Sequence, residues 1–244
     1  MSAPRFFVSG VFAPGDAPAL APEDARKLTL VLRKGEGDAL EIVDSSGRLY
    51  AASARIAGDN VCATLERELA APAATRLSIT LAQGLPKGQK MDYVVEKATE
   101  LGIERILAFT SSRTIGEGSR EGKLERWRRV AKSAAQQCGR LDLPAVEGPI
   151  PFDALSARIP TYDAAVVPWE LAPRVPLHDR LPALIAGAKT VLVAIGPEGG
   201  LSEAEALALQ SAGAHLVSLG SRILRTETAG LVTCSALLYA SGDI

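Results

Sequence analysis

Two runs in the last third of the chain place glycines, charged residues and hydroxyl side chains where a ligand can meet the main chain. The first is Gly196-Pro197-Glu198-Gly199-Gly200, between the apolar run Val191-Leu192-Val193-Ala194-Ile195 and Ser202-Glu203-Ala204-Glu205. Strand, glycine loop and helix start come in order, and Ser202 with Glu205 has the spacing of a capping box. The glycines let a ligand approach without a Cβ in the way. A plain αβ turn would use the same residues. The loop lacks the Lys-Ser/Thr of a phosphate loop and the Gly-x-Gly-x-x-Gly of a dinucleotide site, so a triphosphate is not the expected ligand. The second run, Gly220-Ser221-Arg222-Ile223-Leu224-Arg225-Thr226-Glu227-Thr228-Ala229, follows a strand expected over residues 216–219 and leads into an apolar helix through Tyr239. In open α/β sheets, ligands bind beyond the carboxyl ends of strands. Main-chain groups there can read an adenine edge, with Thr226 and Thr228 holding the helix start rigid. Arg222, Arg225 and Glu227, flanked by Ile223 and Leu224, read as a pocket wall; a solvated charge cluster is the alternative.

A third region is basic. Between Arg113 and Arg140 lie eight Lys or Arg residues against Glu117, Glu121 and Glu125, an excess of five. That is an electrostatic footprint for a phosphate backbone. Arg126, Arg129 and Lys132, about a turn apart, form one stripe with Trp127 and Val130 turned inward. A salt-bridged, solvated helix would show the same pattern. The formal net charge of −1 gives no global attraction for nucleic acid, so any such binding must be local.

These residues need a scaffold, and the chain has material for one: 244 residues at 47% hydrophobic composition bury a core in one large or two small domains. Residues 5–8, 39–44, 49–56 and 61–66 read as short strands separated by turn formers such as Ser45-Ser46-Gly47, with a helical turn over 22–32. That is the pattern of a small β-barrel-like module. Ala70-Ala71-Pro72-Ala73-Ala74 reads as a linker. We expect domains over residues 1–72 and 73–244. From residue 77 onward, strands over 77–82, 106–110, 164–168, 191–195 and 216–219 alternate with helical spacers. In the spacer 87–101, Met91, Val94, Val95, Ala98 and Leu101 share one face, and Gly102 supplies the stop. Helical crossovers imply an α/β domain with a mainly parallel sheet covered on both faces.

Other chemistry is disfavoured. Cys62, Cys138 and Cys234 are too scattered for disulfides or a metal site and read as buried, inert thiols. His178 and His215 sit in no metal-ligand spacing, so no metal is expected. No apolar stretch reaches membrane-spanning length, and the first residues lack a secretory layout, so a cytoplasmic location is expected.

The sequence as a whole resembles the RsmE family of the SPOUT superfamily. The resemblance rests on Arg5-Phe6-Phe7-Val8, Val31-Leu32-Arg33, Leu85-Pro86-Lys87-Gly88-Gln89-Lys90-Met91-Asp92, Lys97-Ala98-Thr99-Glu100-Leu101-Gly102, Gln137-Cys138-Gly139-Arg140, Gly196–Gly200 and Arg222–Ala229. It implies S-adenosylmethionine-dependent methylation of a uridine N3 in 16S, small-subunit ribosomal RNA, within the small ribosomal subunit. It also implies a PUA-like N-terminal barrel, a C-terminal SPOUT domain with a trefoil knot, and a homodimer. By the same resemblance the cofactor is flanked by Pro168, Gly196, Gly200, Leu219, Gly220, Ile223, Leu224, Thr226 and Ala229. RNA is expected on Arg5, Arg33, Lys87, Arg113, Arg126, Arg129 and Arg140. The chain departs from the family where Asp24–Arg33 lacks a common His, where Ser112 and Gln136 stand in place of Glu, and where Pro168-Trp169-Glu170 lacks a frequent His.

Methylating uracil N3 needs in-line alignment and loss of the N3 proton. Arg5 and Arg222 are the expected catalytic groups for positioning RNA or stabilising a uracil anion, and Glu198 for deprotonation. Arg5 could instead touch only phosphate, and Glu198 could merely satisfy loop N–H groups. A methyltransferase of another RNA and an assembly factor that has lost transfer are the competing functions.

Overall fold

The computed structural model describes residues 3–58, 60–71, 75–114, 120–172 and 176–244, with only the backbone at 120 and 121. The chain forms two compact units, Met1–Ala73 with Ala135–Asp142, and Ala74–Ala134 with Leu143–Ile244. The linker expected over residues 70–74 falls largely on 72–74, outside the described residues. Among the described residues no helix is long and apolar enough to cross a membrane.

In the first unit, β1 (Arg5–Phe7), β2 (Ala39–Val43), β3 (Leu49–Ala57) and β4 (Asn60–Leu69) form a sheet in chain order. β1 runs parallel to β2, and the later pairs are antiparallel. Alternating residues of β3 and β4, including Ala52, Ala54, Val61, Ala63 and Leu65, face a core with Phe6, Leu28 and Ile42. Helix α1 (Pro22–Arg26) continues as a π-helical turn, Lys27–Val31, which ends with Leu30 and Val31 exposed.

Residues 135–142 belong to this unit, which the expected division at residue 73 does not anticipate. Two sets of bonds tie them in. The Gln136 amide donates to Asp24 (2.8 Å) and accepts from Lys27 Nζ (2.7 Å). The Arg5 guanidinium donates to the carbonyls of Gly139 and Arg140 while pairing with Glu41. An amide can donate and accept at once, whereas a carboxylate only accepts. Here Gln136 faces an acid on one side and an ammonium on the other, which suits an amide rather than a carboxylate at this position.

The second unit contains six parallel strands in the order β10-β8-β9-β5-β6-β7. They are β5 (Ser78–Gly84), β6 (Arg105–Thr110), β7 (Ala145–Pro151), β8 (Ala164–Pro168), β9 (Thr190–Ile195) and β10 (His215–Val217). Period-two alternation sends Ile79, Leu81, Ile106, Val191 and Val193 to one face, and Ala82, Leu107, Phe109, Leu192 and Ala194 to the other. The first face is covered by α2 (Lys90–Glu100), α3 (Arg120–Cys138), α5 (Leu177–Ile185) and α7 (Thr226–Ser241); α4 (Phe152–Arg158) and α6 (Glu203–Ser211) cover the second. Met91, Val94, Val95 and Ala98 are the buried face of α2, and Gly102 past its end is left-handed at φ 83°. Strand β7 is absent from the sequence reading because Gly148-Pro149-Ile150-Pro151 looks like a turn, yet proline is tolerated on an edge strand and β7 is one.

Cys234 is buried, with its thiol pushed up to about 12 by desolvation. Cys138 is exposed and Cys62 half-buried, which corrects the expectation of three buried thiols. Replacing Gln136 by Glu should lower the free energy of unfolding by about 1–3 kcal/mol, because the bond to Asp24 becomes a contact between two acceptors. Urea denaturation of the variant against the parent measures this.

Candidate active site

Strands β9, β8 and β10 are neighbours, and the loops at their carboxyl ends enclose a cleft of about 520 Å³. That lies in the range of sites that enclose a small molecule. All nine residues assigned to a cofactor line it: Pro168 after β8, Gly196 and Gly200 after β9, and Leu219, Gly220, Ile223, Leu224, Thr226 and Ala229 after β10 and into α7. Glu198 and Arg222 line the same cleft. Arg225, expected in a pocket wall, lines it too, as do Lys90, Trp169, Glu170, Leu201 and Ser218, to which the sequence assigns no site role.

Several contacts fix the loops. The Thr226 hydroxyl donates to the Gly196 carbonyl (2.5 Å) and accepts from the Gln83 amide at the end of β5 (2.7 Å). Gly84 must be glycine, since a Cβ there would lie 2.5 Å from the Pro197 nitrogen. The β8 loop is held by the Trp169 indole N–H on the Leu201 carbonyl (3.3 Å) and the Trp169 backbone N–H on Val217 (3.1 Å). The expected capping box is present: the Ser202 hydroxyl accepts from Glu205 N–H, and the Glu205 carboxylate accepts from Ser202 N–H. The same carboxylate accepts from the Ser112 backbone N–H (2.7 Å), so Ser112 takes part through its main chain.

Glu198 Oε1 accepts from the Lys87 backbone N–H (2.9 Å) and from Lys90 Nζ (3.1 Å), and Lys90 also lies 3.5 Å from Glu227 Oε2. Partial burial acts to raise the Glu198 carboxyl, but its own backbone N–H, Lys87 and Lys90 outweigh it and hold the group below the usual value. Bonding to Glu198 raises Lys90 correspondingly. A carboxylate held this way is a fixed anion and a weak proton acceptor.

The other predicted residues are dispersed. The Arg5 guanidinium is engaged within the first unit by Glu41, Gly139 and Arg140. Arg33 is exposed with a left-handed φ of 52°. The Lys87 side chain is exposed, and Arg113 donates to the Gly199 carbonyl (2.8 Å). Arg126 pairs with Asp92, and Arg140 with Asp142 at 2.5 Å. Arg129 is exposed, with a long 3.5 Å approach to the Glu125 carbonyl. Trp127 is buried as expected, whereas Lys132 is half-buried. The basic stripe thus has internal partners, but exposed pairs of this kind are worth about 0–1 kcal/mol and yield readily to a phosphate.

A three-loop cleft on the carboxyl edge of a wholly parallel sheet defines the class, an α/β domain with a cleft of a size that suits a small molecule. The family described as RNA methyltransferase domain matches residues 73–238. Ribosomal RNA small subunit methyltransferase E of Bacillus subtilis is 31% identical over 234 residues, covering 91% of this chain and 89% of the relative. Its Mycobacterium tuberculosis namesake is 32% identical over 246 residues, covering 97% and 92%. The structure of ribosomal RNA small subunit methyltransferase E from Neisseria gonorrhoeae bound to S-adenosyl methionine has a TM-score of 0.87 at 28% identity, covering 98% of each chain. A Legionella pneumophila methyltransferase solved with bound SAM has a TM-score of 0.89 at 27% identity, also covering 98% of each. The chain belongs to the ribosomal RNA small subunit methyltransferase E family.

Two outcomes follow from the site's wiring. Thr226→Val leaves the Gly196 carbonyl without its donor and should lower the unfolding free energy by about 1–3 kcal/mol, with Thr226→Ser close to the parent. Equilibrium denaturation distinguishes them. The second concerns Glu205. Burial acts to raise its carboxyl, yet the Ser112 and Ser202 donors hold it below the usual value. A depressed folded-state value stabilises above the unfolded-state value and loses that contribution as pH falls through the folded one. Glu205→Gln should therefore trail the parent near neutrality and converge on it in denaturation series run from about pH 7 to about pH 3.

Proposed function

We propose that this chain transfers the methyl group of S-adenosylmethionine to N3 of a uridine in 16S ribosomal RNA. The observation that carries the proposal is the single cleft in which Pro168, Gly196, Gly200, Leu219, Gly220, Ile223, Leu224, Thr226 and Ala229 meet. Its composition fits such a cofactor. Apolar Ile195, Leu219, Ile223 and Leu224 suit an adenine face, and the glycine loops offer main-chain groups to its edge. When bound, S-adenosylmethionine supplies an electrophilic methyl group on a sulfonium. Relatives named ribosomal RNA small subunit methyltransferase E, and structures of such proteins with the cofactor, support the same assignment.

The protein's part is to hold, align and neutralise. N3 lies on the pairing edge, so the target uridine must be unpaired or flipped. Arg222 and Arg225, exposed at the cleft, carry positive charge that offsets the uracil anion left when the N3 proton departs. Glu198 serves as an anchor that fixes Lys87 and Lys90. Arg5 orders the first unit, which we read as a PUA-like RNA-binding barrel. Arg33, Lys87, Arg113, Arg126, Arg129 and Arg140 contribute the phosphate-facing charge.

The finer assembly belongs to the same proposal. By the sequence resemblance, we read the second unit as a SPOUT domain with a trefoil knot, in which the last segment is drawn through the preceding loops. The exposed Val232 and Tyr239 of the apolar helix α7 give a homodimer its contact surface. We place the substrate in the small ribosomal subunit and the enzyme in the cytoplasm.

Nucleoside mass spectrometry of small-subunit RNA from cells with and without this gene should show N3-methyluridine disappear with the gene; its persistence overturns the assignment. In single-turnover methylation, Glu198→Gln should lower the rate and leave the pH–rate profile unshifted. Loss of a pH limb would restore Glu198 as the base.

A further inference from the structure

Among the described residues, the charged side chains lining the cleft are Lys90, Arg222 and Arg225 against Glu170 and Glu198. Lys90 and Glu198 pair at 3.1 Å and so largely cancel each other. Glu170 is different. It follows Trp169, which is anchored to the loop after β9 through Leu201 and to β10 through Val217. Its carboxylate lies against the glycine loop, with Oε1 2.6 Å from the point a Cβ on Gly200 would take. Among the described residues, no hydrogen bond or ion pair engages that carboxylate. An exposed carboxylate on an anchored loop at a cleft, with no cation of the described residues paired to it, suits a cationic group of the ligand.

We propose that Glu170 is a specificity-determining residue, the counter-ion for a cationic group of the methyl donor, either its sulfonium or its α-ammonium. The inference rests on the methyl-transfer function proposed above. The remaining cleft charges, Arg222 and Arg225, repel a cationic donor, and Glu170 offsets that repulsion where the β8 loop meets Gly200. If it faces the sulfonium, it also makes the site favour the charged donor over the neutral thioether left after transfer. Gly200 is part of the device, because its left-handed φ of 67° and the nearby carboxylate both exclude a side chain.

The test is titration calorimetry at low ionic strength on the full chain, parent and Glu170→Gln, with three probes. S-adenosylmethionine carries sulfonium and ammonium, S-adenosylhomocysteine only the ammonium, and 5′-methylthioadenosine neither. Glu170→Gln should weaken S-adenosylmethionine about tenfold, the scale of losing one partly screened charge pair, and leave 5′-methylthioadenosine unchanged. Unchanged S-adenosylhomocysteine then assigns the carboxylate to the sulfonium, and a parallel loss assigns it to the ammonium. Glu170→Asp should recover part of the affinity. Equal loss with all three probes, or no loss with any, overturns the proposal. Failure of the parent to bind any probe would instead remove the methyl-transfer assignment on which it rests.

Discussion

The Thr226 hydroxyl joins the segments from which the cleft is made. It donates a hydrogen bond to the Gly196 carbonyl and accepts one from the Gln83 amide, so it bonds the glycine loop, the end of β5 and the start of α7 to one another. Thr226 is 7% exposed and Gln83 is fully buried, so water cannot readily replace these bonds. The packing around them is equally tight. A Cβ on Gly230, one turn into α7, would lie 3.2 Å from Leu81 Cδ1 and 3.3 Å from Gln83 Oε1. The helix thus rests on β5 and β9 at close range, and the loops above inherit a fixed height. Main-chain recognition of a ligand depends on that fixity.

Charge is arranged on top of this frame in two ways. Carboxylates that organise structure are saturated with donors: Glu205 by Ser202 and Ser112, Glu198 by Lys87 and Lys90, and Asp243 by the backbone of Arg76 and Leu77. Each is held below the usual carboxylate value despite desolvation, because the donors stabilise the ionised form. Among the described residues, the cleft groups without such partners are Arg222, Arg225 and Glu170. On the proposed function, alignment and neutralisation of charge carry the chemistry.

Much of this was legible in the sequence, for physical reasons particular to each element. β8 falls on residues 164–168 as expected, because an apolar run of that length bounded by turn formers has few alternatives. The Ser202–Glu205 box announces α6 through hydrogen bonds that act within four residues. Sheet order, by contrast, depends on contacts distant in sequence: nothing local places β8 between β10 and β9, and that placement brings three loops to one cleft. β7 was hidden by its prolines, and the packing of residues 135–142 with the first unit by the continuity of α3. Lys90 and Glu170 stood beside residues already singled out, but which of them face the cleft is a property of the folded loops. Arg5 carried a strong charge signal that the fold directs to Glu41 and the carbonyls of Gly139 and Arg140.

The central claim is that the cleft binds a methyl donor and delivers the methyl group to uracil N3. The most direct measurement incubates the purified chain with isotopically methyl-labelled S-adenosylmethionine and small ribosomal subunits lacking the modification, then resolves the RNA nucleosides by mass spectrometry. The account predicts label in N3-methyluridine at one position, one methyl per subunit. Label in a different nucleoside, or none although the chain binds the cofactor, would contradict it.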